Sequence, residues 1–89
     1  MTVRTGFSAL EAAEIAQQLR IDFEVEAFDL DEFRRGLDVE LEHGTRSPMT
    51  DVTGDDPITT GRIALAHLRE MPDYYERLAR MEAEAEASA

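Results

Sequence analysis

The chain has 89 residues, of which 20 are acidic and nine are basic, so that its formal net charge at pH 7 is −11. This length allows one small domain and excludes a TIM barrel or a dinucleotide-binding domain with a partner domain, and the charge excludes direct binding to a nucleic-acid backbone. Because the sequence contains no cysteine, it also excludes a disulfide framework, a zinc–thiolate site and a cysteine nucleophile.

The first predicted helix begins at Ser8, which forms a capping box with Glu11. A stripe of mostly small residues follows at helical spacing and favours close packing against other helices. This stripe consists of Leu10, Ala13, Ala16 and Leu19, with Ala12 and Ile15 beside them. Residues 21–28 alternate briefly like a strand, but no second strand is available to pair with them. We therefore expect an extended connector whose Phe23 and Phe28 enter the core.

The second predicted helix begins at Asp29, which forms another capping box with Glu32. Its apolar residues recur at spacings of 3, 4 and 4, as on one face of a helix. They are Leu30, Phe33, Leu37 and Leu41. We expect this helix to end at His43, with Gly44 as a left-handed cap residue. Residues 45–56 contain Pro, Gly, Ser, Thr and Asp and predict one long loop.

The third and fourth predicted helices are separated by a proline. Asp56 followed by Pro57 is typical of a cap and a first-turn proline, and the third helix is expected to run from there to Pro72. Pro72 and Asp73 then begin the fourth helix. The apolar side of the fourth helix consists of Tyr74, Leu78, Met81 and Ala85.

These elements predict an all-α fold of about four helices, in a single domain over residues 1–89 with frayed ends at 1–6 and 86–89. The core is small because only 20 residues are Leu, Ile, Val or Phe, and an oligomer, a metal or a partner would add stability. The sequence has no apolar run long enough to span a membrane. Its first residues do not match a signal peptide, so we expect a cytoplasmic protein.

The only two histidines each lie three residues from a glutamate. Glu-x-x-His is the spacing of carboxylate-bridged metal sites in helical bundles, and residues three apart share one helix face. The candidate ligands of a divalent metal are Glu40, His43, His67 and Glu70. In the alternative interpretation, His43 is a favourable cation at a helix C-terminus and His67 forms an ordinary hydrogen-bonded pair with Glu70. Glu42 and Asp73 are candidates for an outer shell around the metal.

Two adjacent tyrosines, Tyr74 and Tyr75, follow Pro72 and form a second group of candidate residues. Their rings point about 100° apart on a helix. One ring is therefore expected in the core with a hydrogen-bonded hydroxyl, while the other lies at a seam or contacts a partner.

Three segments of the sequence also resemble a known family. They are VELEHG at residues 39–44, IALAHL at residues 63–68 followed by Glu70, and PDYY at residues 72–75. Over residues 23–84 the chain is similar to a family of small proteins of unknown function from bacteria and tailed phages, although many relatives carry Lys where this chain has Arg62. The resemblance implies a small helical unit and a phage or prophage origin, and it brings no established activity.

Three functions remain open at this point, and no catalytic residue is predicted. The first is a non-enzymatic protein-interaction or accessory module that binds a protein partner or self-associates. The second is a protein that binds a divalent metal through its Glu and His residues. The third is an acidic inhibitor that mimics DNA.

Overall fold

The computed structural model describes residues 4–88 of the chain. Its four α-helices are α1 (Ala9–Gln18), α2 (Leu30–Glu40), α3 (Pro57–Glu70) and α4 (Tyr74–Ser88). Two short 3-10 helices lie between α2 and α3, at Leu41–His43 and Pro48–Thr50. No strand is present between residues 4 and 88. The predicted all-α class, with four helices and a long loop before α3, is confirmed.

The predicted helix starts are formed by the expected hydrogen bonds. In α1 the backbone N–H of Glu11 donates to the Ser8 hydroxyl at 3.1 Å, and the Ser8 N–H donates to the Glu11 carboxylate at 2.9 Å. Asp29 and Glu32 make the same reciprocal pair in α2. The Asp56 carboxylate accepts a hydrogen bond of 2.8 Å from the backbone N–H of Thr59 and thereby caps α3. These side chains satisfy amide groups that have no partner within the helix.

The core lies around α2, which contacts the three other helices. Phe33, Leu37 and Leu41 from the predicted stripe are fully or almost fully buried. Helix α1 contributes Ala12, Ile15 and Ala16, α3 contributes Ala64 and Leu68, and the segments before the helices contribute Phe7 and Phe28. The connector between α1 and α2 is anchored by Phe28 and by the partly buried Phe23, as predicted, but residues 23–28 form turns and bends where an extended segment was expected.

The apolar face of α1 differs from the predicted one at Leu10, which is 70% exposed. The buried residues of α1 are Ala12, Ile15 and Ala16, and Leu19 packs against the core from the end of the helix. These residues stand at positions i, i+3, i+4 and i+7 of one helix face, whereas Leu10 lies about 200° away from Ala12 on the same helix. The inclusion of Leu10 in the buried stripe was therefore wrong.

The end of α2 also differs from the expected left-handed cap. The α-helix ends at Glu40 and tightens into a 3-10 turn, and Gly44 follows with a φ of −106°. The glycine is required for another reason, since a Cβ atom at this position would clash with the Asp55 carboxylate. That carboxylate accepts a hydrogen bond of 2.9 Å from the backbone of Thr45, so the two ends of the loop are held together.

Helix α4 contacts α2 and α3, and Tyr75 is its one buried residue among those described. From residue 79 to residue 88 every side chain is exposed. Residues 86–88, for which we expected fraying, continue the helix, while residues 1–3 and 89 lie outside the described part. None of the helices in residues 4–88 has the length and apolar character needed to cross a membrane.

Candidate functional site

A buried carboxylate lies where α2, α3 and α4 meet. Glu40 is the last residue of α2, and it is only 3% exposed because it flanks the buried stripe of that helix. Burying a charged carboxylate is costly unless hydrogen bonds compensate. The hydroxyl group of Tyr75 donates such a bond to Glu40 Oε2 at 2.6 Å. The pair therefore joins the end of α2 to the beginning of α4.

Tyr75 remains a hydrogen-bond donor over the whole physiological pH range. Burial of the phenol and its hydrogen bond to the Glu40 carboxylate both raise the pKa of Tyr75 above the usual value of a tyrosine. The phenol is consequently neutral throughout this pH range. This is the arrangement in which one hydroxyl group best stabilises a buried carboxylate.

The two histidines lie on opposite sides of this carboxylate. His43 Nε2 is 3.9 Å from Glu40 Oε1, and His67 Nε2 is 3.8 Å from Glu40 Oε2. Both distances exceed a hydrogen bond, but each is short enough for an ion pair when the imidazole carries a proton. The side chains of His43 and His67 are 46% and 34% exposed. Two imidazoles at the surface thus flank a carboxylate in the interior.

Aromatic contacts fix the position of the His67 ring. It stacks on Tyr74 at a centroid distance of 4.2 Å with the ring planes 5° apart. The Tyr75 ring lies perpendicular to the His67 ring, with 6.2 Å between the ring centroids. The two tyrosine rings are also nearly perpendicular to each other. Tyr75 is buried with a hydrogen-bonded hydroxyl group, whereas Tyr74 is partly exposed beside His67.

The remaining candidate residues lie around this cluster or outside it. Glu42 Oε1 is 3.3 Å from His43 Nε2. Asp73 forms an ion pair of 2.8 Å with Arg77. Glu70 is exposed at the end of α3, and within residues 4–88 its side chain has no ion pair or hydrogen bond. The structure therefore groups three of the four candidate metal ligands and leaves Glu70 apart.

The donor chemistry of the three grouped residues matches that of a zinc or iron site, which commonly combines two imidazoles with a carboxylate. Nevertheless, no three His, Cys, Asp or Glu side chains within residues 4–88 are already placed to hold one ion. Ligand–metal bonds are about 2.0–2.2 Å long. An ion would therefore bind only if the side chains of Glu40, His43 and His67 moved closer together.

The sequence predicts that one of the two tyrosines lies in the core, without saying which, and no pattern in it connects Tyr75 with Glu40. The two residues are 35 positions apart, and no local spacing relates them. The one indication of this contact in the sequence is the position of Glu40 beside the apolar stripe of α2. A glutamate that is drawn towards the core at that point requires a donor from another element.

A second feature is an apolar groove along the outer side of α4. It has a volume of about 290 Å³ and is lined by Met71, Tyr74, Arg77, Leu78 and Met81. The apolar members recur at spacings of 3, 4 and 3. Met71 and Met81 are 37% and 59% exposed, while Tyr74 and Leu78 also pack against the core. The groove is thus an open extension of the hydrophobic core and shares Tyr74 with the Glu40 cluster.

Near this groove the arginines of α4 have ion-pair partners, whereas several of its glutamates have none within residues 4–88. Arg77 pairs with Asp73 at 2.8 Å, and Arg80 lies 4.0 Å from Glu76, so both arginines of α4 have acidic partners one turn earlier. Three glutamates follow in the second half of the helix and have no ion pair within residues 4–88. They are Glu82, Glu84 and Glu86.

The chain was compared with known proteins. A family model described as "Protein of unknown function (DUF5661)" matches residues 12–84. This range includes the whole Glu40 cluster and every residue that lines the α4 groove. Searches of curated proteins and of solved structures gave no match.

Proposed function

Because the chain belongs to the DUF5661 family of proteins of unknown function, we propose its function from its own surface: it is a non-enzymatic interaction module whose α4 groove binds a helix of another protein. One observation carries this proposal. Tyr74, Leu78 and Met81 form a partly exposed apolar face on α4, which Met71 extends from the end of α3, and the other exposed residues of α4 are mainly charged.

The composition of the groove supports an interface. Tyr, Met and Arg are enriched where proteins bind one another, and four of the five lining residues belong to these types. Methionine side chains are flexible and polarisable, so they adapt to the shape of a bound partner. Tyr74 is held against His67, which lowers the entropic cost of using its ring as an anchor.

The geometry of the groove favours a helix as the bound element. Tyr74, Leu78 and Met81 follow the 4-3 spacing of one face of α4, and rows of side chains at this spacing pack well against a second helix. An amphipathic helix that inserts residues at positions i, i+3, i+4 and i+7 is a recurrent partner of such grooves. Helix α4 has 15 residues and is therefore roughly 22 Å long. We extend the proposal to an accessory role in a phage or prophage, which only the sequence resemblance supports.

A selection experiment tests the interaction. A display library of helical peptides is selected on the wild-type protein, and the enriched peptides are measured against two variants. Met81→Asp places a charge in the groove, and Leu10→Asp places the same charge at an exposed apolar residue of α1. We expect Met81→Asp to weaken binding by at least roughly tenfold, equivalent to about 1.4 kcal/mol, and Leu10→Asp to leave it unchanged. Equal binding to all three proteins would contradict the proposal.

Metal binding is the second candidate function, and one observation favours it. Glu40 lies between His43 and His67, and Nε2 of each histidine is less than 4 Å from a carboxylate oxygen of Glu40.

The protein is purified without chelator, its metal content is measured, and its melting temperature is followed on addition of zinc, manganese or iron. A ligand that binds only the folded state raises the melting temperature. We expect His67→Ala to abolish that rise and Glu70→Ala to preserve it. Absence of both bound metal and stabilisation would exclude this function.

No observation favours the third function, the DNA mimic. A mimic requires carboxylates arranged over one extended face. Many acidic groups are instead paired with arginines on separate elements of the fold, as in the ion pairs of Asp38 with Arg34 and of Glu26 with Arg69. We therefore do not propose it.

A further inference from the structure

We infer that the helix bound by the α4 groove is basic and carries Lys or Arg residues on both sides of its apolar face. This inference rests on the interaction function proposed above and names the class of partner. It follows from the charges that border the groove and from the charge of the whole chain.

Two carboxylates of α4 follow Met81 at the C-terminal end of the groove and lie on either side of its axis. With about 100° of rotation per residue, Glu82 lies roughly 70° to one side of the line through Tyr74, Leu78 and Met81, and Glu84 lies roughly 90° to the other side. Both residues are exposed. A helix that lies along the groove therefore places its own flanking residues beside these two carboxylates.

The same carboxylates are free to bind a partner. Arg77 and Arg80 already pair with acidic residues of their own helix segment, whereas Glu82 and Glu84 have no ion pair in the described range 4–88. Lysine or arginine on the incoming helix would supply the missing positive charge. Glutamate or aspartate in the same positions would be repelled, so the pattern selects for one sign of charge.

The net charge of the whole chain also favours a basic partner, and it acts over a longer range than the two glutamates. A net charge of −11 attracts basic segments and accelerates their association. It opposes a second copy of the chain, which carries the same charge. In addition, the apolar stripe of α4 from Tyr74 to Ala85 spans fewer than two heptads, whereas self-paired coiled coils generally need at least three or four. The groove therefore fits a basic helix of another protein better than its own duplicate.

Designed peptides test this inference. Two peptides of about 18 residues share leucines at positions i, i+3, i+4 and i+7; one has lysines and the other glutamates beside the leucines. A third peptide keeps the lysines but has glutamine in place of each leucine. Binding to the wild-type protein is measured by fluorescence anisotropy at low and at physiological salt. We expect the lysine–leucine peptide to bind at least roughly tenfold more tightly than the glutamate–leucine peptide, with an affinity that falls as salt is raised.

Two variants separate groove binding from general charge attraction. Met81→Asp adds a negative charge, so non-specific attraction of the lysine–leucine peptide would increase, whereas docking in the groove would decrease. The double variant Glu82→Lys with Glu84→Lys should instead favour the glutamate–leucine peptide. Both glutamates are exposed, so their replacement leaves the fold intact.

Each contrary result has its own meaning. If both leucine peptides bind equally well and Met81→Asp weakens both, the interaction function stands and the basic partner is excluded. If neither leucine peptide binds, the interaction function fails together with this inference. If the lysine–glutamine peptide binds as tightly as the lysine–leucine peptide, the attraction is non-specific and the inference is wrong. A dimer that sedimentation detects and Met81→Asp dissolves would identify a second copy as the occupant and would also overturn it.

Discussion

Tyr75 donates a hydrogen bond of 2.6 Å to Oε2 of Glu40 and thereby ties the first turn of α4 to the last residue of α2. Both residues are 3% exposed. The neighbouring residue Tyr74 lies on the other side of the same turn, where it lines the α4 groove and stacks on His67. The buried pair therefore sets the orientation of α4, and with it the surface that we propose to bind a partner.

Replacing Tyr75 with phenylalanine should destabilise the fold. The phenylalanine ring fills nearly the same space, but it leaves the buried Glu40 carboxylate without its donor. Such an unsatisfied group costs about 1–3 kcal/mol. Glu40→Gln should cost less, because the amide oxygen can still accept the hydrogen bond from Tyr75. Urea unfolding with linear extrapolation measures both free energies.

The double variant Tyr75→Phe with Glu40→Gln provides the control for this pair. If the two residues interact as described, the double variant is more stable than the sum of the two single losses predicts. Equal stability of Tyr75→Phe and the wild-type protein would contradict the role of the hydrogen bond. Strict additivity would show that the two side chains contribute independently.

The raised pKa of Tyr75 predicts a loss of stability at alkaline pH. In the unfolded chain a tyrosine ionises at its usual pKa of about 10, whereas in the folded protein burial and the Glu40 carboxylate keep the phenol protonated. Above pH 10 the folded state therefore binds more protons than the unfolded state. This group then lowers the free energy of unfolding by at most ~1.4 kcal/mol per pH unit, and below pH 10 it contributes no slope.

The measurement compares wild type with Tyr75→Phe from pH 8 to pH 11, an interval chosen around the usual pKa of tyrosine, about 10. We expect the wild-type protein to lose stability more steeply above pH 10 than the variant, which retains Tyr74 but lacks the buried phenol. Parallel curves would show that Tyr75 ionises normally in the folded protein.

The loop before α3 predicts the opposite dependence at acid pH. Hydrogen bonds from the side chain and the backbone of Thr45 lower the pKa of Asp55 below the usual carboxyl range. The resulting stabilisation is present above the pKa of an unfolded aspartate, about 4, and is lost as the pH falls through the lower folded value. Thermal unfolding between pH 7 and pH 3 should show a smaller loss of stability for Asp55→Asn than for the control Glu82→Gln. Equal losses would contradict the prediction.

The sequence predicted those features of the fold that depend on neighbouring residues. The Ser8–Glu11 and Asp29–Glu32 boxes, the Phe33–Leu37–Leu41 stripe and the proline at the start of α3 are local patterns, and the structure contains each of them. Leu10 and Gly44 were assigned wrongly for a physical reason. The direction of one side chain near a helix end and the approach of the distant Asp55 depend on tertiary packing, which no local pattern records.

The candidate site around Glu40 was likewise predictable only where it depends on local spacing. The spacing of three residues identified Glu40, His43 and His67, which the structure brings together. The same spacing included Glu70, which is exposed at the end of α3 because the chain leaves the helix there. The contact of Glu40 with Tyr75 depends on how α4 folds back after Pro72, and sequence spacing does not encode that angle.

The last prediction concerns Gly36, where α2 packs against the Tyr75 ring of α4. A Cβ atom at this position would lie 2.6 Å from Cε2 of Tyr75, and the ring cannot move away without weakening the bond to Glu40. Gly36→Ala should therefore destabilise the protein by about 1–3 kcal/mol, as overpacking does, although alanine is favoured over glycine within a helix by about 1 kcal/mol.

Gly61 in α3 provides a matched control for this substitution. A Cβ atom there would lie 2.8 Å from Cγ2 of Ile15 and 2.9 Å from Cδ1 of Leu19. Cδ1 of Leu19 is the end of a flexible side chain that can shift, whereas Cγ2 of Ile15 belongs to a buried, β-branched side chain that moves less easily. Neither side chain makes a buried hydrogen bond, so Gly61→Ala should cost less than Gly36→Ala. Urea unfolding compares the two variants in one experiment. If Gly36→Ala is as stable as Gly61→Ala, the Tyr75 ring is not fixed, and the Glu40–Tyr75 hydrogen bond does not set the orientation of α4.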